Sequence, residues 1–272
     1  HAIGVLDALD IEQADIIGNS FGGGLALALA IAHPRRVRRI VLMGHSAGAH
    51  LVALVGTTLA RFDAIEKMTG FMGFVYALRS AMWLAGFAAL ALVLSWVLGK
   101  RTSWSALVGL LAAGALMATG AWLRGEAGKY PAIHDATTDL ESPPAFTALE
   151  IPEDNLRGVE SEADWRELHR EGYPDLAPVE VPSSVADTIA RAEELAEERG
   201  WTVIASDAEA GRLEAVAYAG WIKFEDIVVL TAEPNESGGS TVNMRSISRV
   251  GVSDLGYNAK RIREFLAALE AG

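Results

Sequence analysis

Nineteen residues from Ser80 to Leu98, and 22 from Thr102 to Leu123, carry no charge, and only Gly99-Lys100-Arg101 separates them. A bilayer core about 30 Å thick is crossed by roughly 20 apolar residues in a helix. Each run therefore predicts a membrane-spanning helix, and the short basic link predicts a hairpin. Residues 40–60 form a further uncharged run, preceded by Arg35, Arg36, Arg38 and Arg39 and interrupted by His45 and His50. With its small residues it predicts a third span.

The pattern changes after Lys129. Residues 129–146 are broken by Tyr130-Pro131, Thr137-Thr138-Asp139 and Ser142-Pro143-Pro144, which forbid a long helix. Glu162 to Arg170 reads as a short charged helix. Ser183-Ser184 offers an N-cap for a helix with Val185, Ile189, Ala192 and Leu195/Ala196 on one face, stopped by Gly200. Four strand candidates follow, at 201–206, 212–219, 224–231 and 240–248, joined by short turns that suit antiparallel neighbours. A last helix, Gly256 to Ala268, aligns Ala259, Ile262, Phe265, Leu266 and Leu269. The expected fold class is transmembrane helices followed by an α+β domain, an antiparallel sheet with helices on one face.

Charge divides the chain at the same place. Residues 130–272 hold 12 Lys/Arg and 28 Asp/Glu, a net of −16, whereas residues 1–129 hold 11 and 7, a net of +4. A basic apolar front and an acidic rear fit an anchor followed by a water-exposed domain, with the lipid bilayer as a partner. An acidic domain repels phosphates, so nucleic acid is excluded. There is no cysteine, hence no disulfide, thiolate metal site or thiol nucleophile. The chain begins at His1, so the natural N-terminus and any signal segment on it are expected to be missing. The bias of positive charge places the N-terminus inside and the rear domain outside.

Residues 11–39 read as strand, tight turn and helix. Ala14-Asp15-Ile16-Ile17 is the strand, Gly18-Asn19-Ser20-Phe21-Gly22-Gly23-Gly24 the turn, and Leu25 to His33 a helix stopped by Pro34. A Gly-x-Ser-x-Gly turn of this kind exposes the serine oxygen and offers the next backbone N–H to an oxyanion. With His33-Pro34-Arg35-Arg36-Val37, it makes residues 6–43 resemble the α/β-hydrolase superfamily, in particular its carbon–carbon bond hydrolases. The resemblance implies a partial βαβ fragment with Ser20 as nucleophile. A second string, Gly44-His45-Ser46-Ala47-Gly48-Ala49-His50, looks like the elbow of esterases. Two elbows so close cannot serve one site.

The remainder resembles the bacterial family called domain of unknown function 1499, over about residues 51–269 including the membrane helices. Tyr130-Pro131-Ala132-Ile133-His134-Asp135, Gly211-Arg212-Leu213-Glu214-Ala215-Val216-Ala217 and Phe224-Glu225-Asp226-Ile227-Val228-Val229 carry the likeness. Arg245-Ser246-Ile247-Ser248-Arg249-Val250-Gly251 and Ser253-Asp254-Leu255-Gly256-Tyr257-Asn258 complete it. It implies a bacterial inner-membrane location and no defined activity. The expected domains are a hydrolase-like fragment at 1–45, a membrane region at 46–124 and the α+β domain at 125–272.

The densest polar group of the rear domain is Arg245, Ser246, Ser248, Arg249, Ser253, Asp254, Asn258 and Arg261. Two arginines with hydroxyls beside a helix N-terminus could hold a small anionic ligand. In the alternative reading Ser253 or Asp254 caps the last helix and the arginines pair with acids. His134, Asp135 and Asp139 match no specific metal spacing, and neither metal nor cofactor is expected. Two functions stay open: a membrane-anchored, non-enzymatic protein with an acidic extracytoplasmic domain, or a serine hydrolase carried by Ser20. A serine acts as nucleophile only beside a placed base.

Overall fold

The computed structural model describes residues 2–19, 29, 33, 35–43, 46–97 and 104–272. The chain divides into two compact units, His1–Leu123 and Arg124–Gly272.

The front unit opens with helix α1 (Ala2–Ala8) and two strands, β1 (Ala14–Asn19) and β2 (Val37–Met43). The strands are parallel, with Ile16 opposite Ile40 and Ile17 opposite Val41. Parallel neighbours require a crossover, and most of residues 20–36 lies outside the described residues. Arg36 fastens the entrance to β1: its guanidinium donates to the carbonyls of Glu12 and Ile11 and to Asp7. Three helices follow, α2 (Ser46–Arg61), α3 (Lys67–Val97) and α4 (Trp104–Ala127). The helices α2 and α3 approach so closely that a Cβ on Gly70 would lie 2.4 Å from Ala60 Cβ and 2.7 Å from the Gly56 carbonyl. Ala53, Ala77 and Leu116 form a small buried cluster among the three.

The membrane reading is corrected here: among the described residues, no helix is long and apolar enough to cross a membrane. The run at 40–60 is not one helix. Its first residues, Ile40 to Met43, pair with β1 in the β2 ladder, and α2 then has only 16 residues. Residues 80–97 are the rear of a helix that starts at Lys67 and carries Arg79 in its middle. Residues 104–123 of the last run belong to a helix that continues through Arg124 and Glu126. The bilayer partner and the envelope location rested on those runs and receive no separate support from the structure.

The rear unit is built on a six-stranded sheet in the order β3-β8-β7-β6-β5, with β4 also pairing β8. Its strands are β3 (Asp135–Thr137), β4 (Val179–Val181), β5 (Thr202–Asp207), β6 (Arg212–Ala219), β7 (Phe224–Pro234) and β8 (Ser240–Ser248), all antiparallel. Three helices accompany them: α5 (Glu162–Gly172), α6 (Val185–Glu198) and α7 (Tyr257–Glu270). Ser161 and Ser184 cap α5 and α6 by accepting from Asp164 N–H and Asp187 N–H.

Ile189, Ala192 and Leu195 of α6 and Ile262, Phe265 and Leu266 of α7 share one core with Leu213, Val228, Leu230, Val242 and Met244 of the sheet. Phe265 stacks on Trp201, with centroids 4.8 Å apart and planes at 18°. The other sheet face is not open to water. Ile227, Val229 and Ile247 are buried there, and residues 147–149 donate to Glu214 on that side. Coverage on both faces explains the continuous buried run in β6. The β5–β6 junction needs a glycine: Gly211 has φ +64, and a Cβ there would meet the Ala232 carbonyl at 2.2 Å.

Candidate functional site

Polar side chains gather where β3, β7, β8 and the start of α7 meet. Antiparallel register sets Asp226 opposite Ser248 and Val228 opposite Ser246. Residues two apart share a face, so Asp226, Ser246 and Ser248 all turn toward α7. Arg261 of α7 donates to Asp226 Oδ2 at 2.5 Å and to Ser246 Oγ at 2.9 Å. Asn258 donates through Nδ2 to the His134 carbonyl and to Ser248 Oγ, each at 2.9 Å, and accepts from Ser246 Oγ at 2.6 Å. Burial pushes the Asp226 carboxyl up, against the pull of Arg261 and the Ser248 hydroxyl.

The opposite face holds a second pair. Asp135 is 2% exposed and takes a two-pronged contact from Arg245, Nε to Oδ1 at 3.0 Å and Nη2 to Oδ2 at 2.7 Å. Asn155 adds a bond to Oδ2 at 2.8 Å, and Trp165 Nε1 donates to the Asp135 carbonyl at 3.0 Å. The guanidinium of Arg245 lies 5.9 Å from the Trp165 ring centroid. Both arginines are thus spent on buried carboxylates, a planar match that suits guanidinium.

The loop after β8 is pinned from below. Arg157 donates through Nε to the Gly251 carbonyl at 2.7 Å and through Nη2 to the Ser248 carbonyl. Asp254 accepts from Gly256 N–H at 2.9 Å and from Asn258 N–H at 2.6 Å, closing the first turn of α7. Burial raises its carboxyl to about 6, although both N–H bonds oppose the rise. His134, beneath this loop, is buried and its neutral form favoured, first by desolvation and then by Arg157. Neither of its ring nitrogens makes a hydrogen bond of normal geometry. His169 of α5 accepts the Thr137 N–H at 3.0 Å through Nε2, and burial lowers its pKa to about 4.

Of the residues singled out in the sequence, Ser248, Asp254, Asn258 and Arg261 come together around the start of α7. Arg245 lies on the other face with Asp135. Arg249 is a surface residue paired with Glu225 at 3.3 Å, and Ser253 Oγ accepts the Leu255 N–H at 3.3 Å. His134, Asp135 and Asp139 diverge: Asp135 faces Arg245, while Asp139 caps a turn by accepting from Glu141 and Ser142 N–H. Sequence reasoning passed over Asp226, Glu214, Asn155 and Arg157. The first two had a signal, since an acid at an inward position of an apolar strand requires a buried donor. The second two are loop residues with none.

Ser20 lies outside the described residues. Among the described residues of the front unit, a depression of about 460 Å³ is lined by Asp7, Asp10, Glu12, Arg35 and Arg36. Arg36 is already committed there, at 2.6 Å from Asp7.

Comparison with known proteins divides the chain in the same sense. An antiparallel α+β layer with internally paired charges characterises the rear, and residues 135–269 match the family described as protein of unknown function (DUF1499). Residues 1–95 match the family described as alpha/beta hydrolase fold. The first match starts at β3, so the helices α2 to α4 lie outside it. The front is 81% identical over 48 residues to the 2-hydroxymuconate semialdehyde hydrolase of Pseudomonas sp. (strain CF600), covering 18% of this chain and 17% of that protein. It is 84% identical over 44 residues to the Pseudomonas putida protein of the same name, covering 16% of each. A 2-hydroxy-6-oxo-2,4-heptadienoate hydrolase of Pseudomonas putida is 42% identical over 82 residues, 30% of this chain and 26% of that protein. The chain therefore spans about a sixth of the length of the first two relatives.

Proposed function

We propose that the rear unit works by binding, docking a partner through the loop between β8 and α7. The observation that carries this reading is a set of large apolar side chains held out to water on a fastened backbone. Val252 is 55% exposed and Tyr257 46%, with Val250 and Leu255 beside them. Arg157 and Asp254 hold that loop in place, so its apolar side chains are displayed rather than loosely solvated. Contiguous exposed apolar surface on a rigid loop is characteristic of interaction sites. The buried network supports the same reading, because Asp135, Asp226, Arg245 and Arg261 are occupied with one another. The small anionic ligand considered for those arginines would have to displace a carboxylate. The hydrolase likeness of the front adds no activity to this proposal, since it covers a fragment of each relative.

The test is site-specific photo-crosslinking in cells with the full chain. A crosslinker at Val252 or Leu255 should give one discrete product that Tyr257→Asp removes, and one at Glu194 on α6 should give none. Equal labelling at all three positions, or none at the loop, would refute docking through this surface.

A further inference from the structure

The loop surface has a defined electrostatic surround, and that surround selects its occupant. Val250, Val252, Leu255 and Tyr257 are joined by Leu156 and Tyr130, exposed on the two segments packed against the loop. Three contacts tie the pieces together. Arg157 bridges to the carbonyls of Ser248 and Gly251. A Cβ on Gly158 would lie 3.1 Å from Val252 Cβ. Gly256, at φ +77, is so close to the Tyr130 ring that a Cβ would fall 2.5 Å from Cδ1. Leu255 is itself held at φ 56, a conformation that non-glycine residues rarely keep without a reason. The segment carrying Leu156 also displays Glu150, Glu153 and Glu160, all exposed. The cations near the loop have acidic partners of their own: Arg157 is sunk beneath the loop beside Asp154, Arg249 is paired with Glu225, Lys129 with Glu126 and Lys260 with Glu264.

We infer that this surface takes a basic amphipathic protein segment, whose apolar side chains cover the loop while its lysines or arginines meet the acidic border. This rests on the docking reading above and adds the chemistry of the partner. A second copy of the chain would bring the same acidic border against itself. An anionic lipid surface would meet the same repulsion. Both are disfavoured in a rear half with 28 acidic and 12 basic residues.

The experiment uses the full chain and two synthetic amphipathic peptides of identical apolar pattern, one with lysine and one with glutamate on the polar face. Fluorescence anisotropy should show binding of the lysine peptide, weakening as salt rises, and little binding of the glutamate peptide. Val252→Ser with Leu255→Ser should weaken the lysine peptide by roughly tenfold or more, the loss of a buried apolar anchor. Glu153→Lys with Glu160→Lys should weaken it as well. Equal binding of the two peptides overturns the inference, as does a lysine-peptide affinity untouched by the loop variant. Loop-dependent binding to neutral or anionic vesicles, or loop-dependent dimerisation in sedimentation, also overturns it in favour of another occupant. Crosslinking at Val252 together with peptide failure rejects only the basic chemistry; failure of crosslinking rejects the docking reading itself.

Discussion

Removing the ring of Phe265 tests the whole arrangement of α7 on the sheet. The side chain is 0% exposed, stacked on Trp201 at 4.8 Å, with the Arg199 guanidinium 5.2 Å from its centroid. Phe265→Ala forfeits the buried ring and leaves a cavity that Ile262, Leu266 and the backbone can fill only in part. Truncations of this kind cost about 3–5 kcal/mol, and the aromatic partner places this one near the middle, at about 4 kcal/mol. Hydrogen exchange of peptides covering β7 and β8 reads the loss in the rear unit alone. At about 1.4 kcal/mol per tenfold, those amides should exchange roughly a thousandfold faster. Glu270→Ala, at the exposed end of the same helix, should change them little. A loss below about 1.5 kcal/mol would show that α7 does not seat Phe265 in this core, and the layer arrangement would have to be redrawn.

Other expectations follow from the buried charges. Arg245→Met strands the Asp135 carboxylate and should cost about 3–5 kcal/mol, whereas adding Asp135→Asn should recover a large part; chemical denaturation of the three variants decides it. Glu214 is fully buried and accepts from Thr147, Ala148 and Leu149 N–H and the Thr147 hydroxyl; burial raises its pKa but these bonds outweigh it and hold it low. Glu214→Gln leaves one amide oxygen for four donors, so exchange at 147–149 should rise before that of the sheet. His169 has a folded pKa of about 4, below its ordinary 6.5, so its contribution is present above 6.5 and lost as pH falls toward 4. Asp254 acts oppositely, with a pKa raised to about 6, favouring the fold below 3.8 and losing that advantage as pH rises. His169→Gln, whose amide oxygen can still accept the Thr137 N–H, should therefore reduce the stability gained between pH 4 and 6.5 by about 3 kcal/mol. An unchanged pH profile would mean that His169 is not buried in its neutral form.

The sequence by itself located what depends on near neighbours. The short turns that bound them marked β6 and β8, and the spacing of Ala259, Ile262, Phe265, Leu266 and Leu269 marked α7, because hairpin strands and helix faces are set by residues a few positions apart. It also carried the likeness of the front to the alpha/beta hydrolase fold and of the rear to DUF1499. Only tertiary structure decided β3 and β4, three residues each, whose partners on β8 lie far along the chain and whose buried run in β3 has no period to detect. Tertiary pairing likewise redirected Ile40 to Met43 into a strand beside β1, where absence of charge had suggested a span. The fate of the polar cluster was beyond reading for the same reason. Whether Arg245 and Arg261 face a ligand or a carboxylate depends on Asp135 and Asp226, 110 and 35 residues away, and only folding sets those carboxylates within reach.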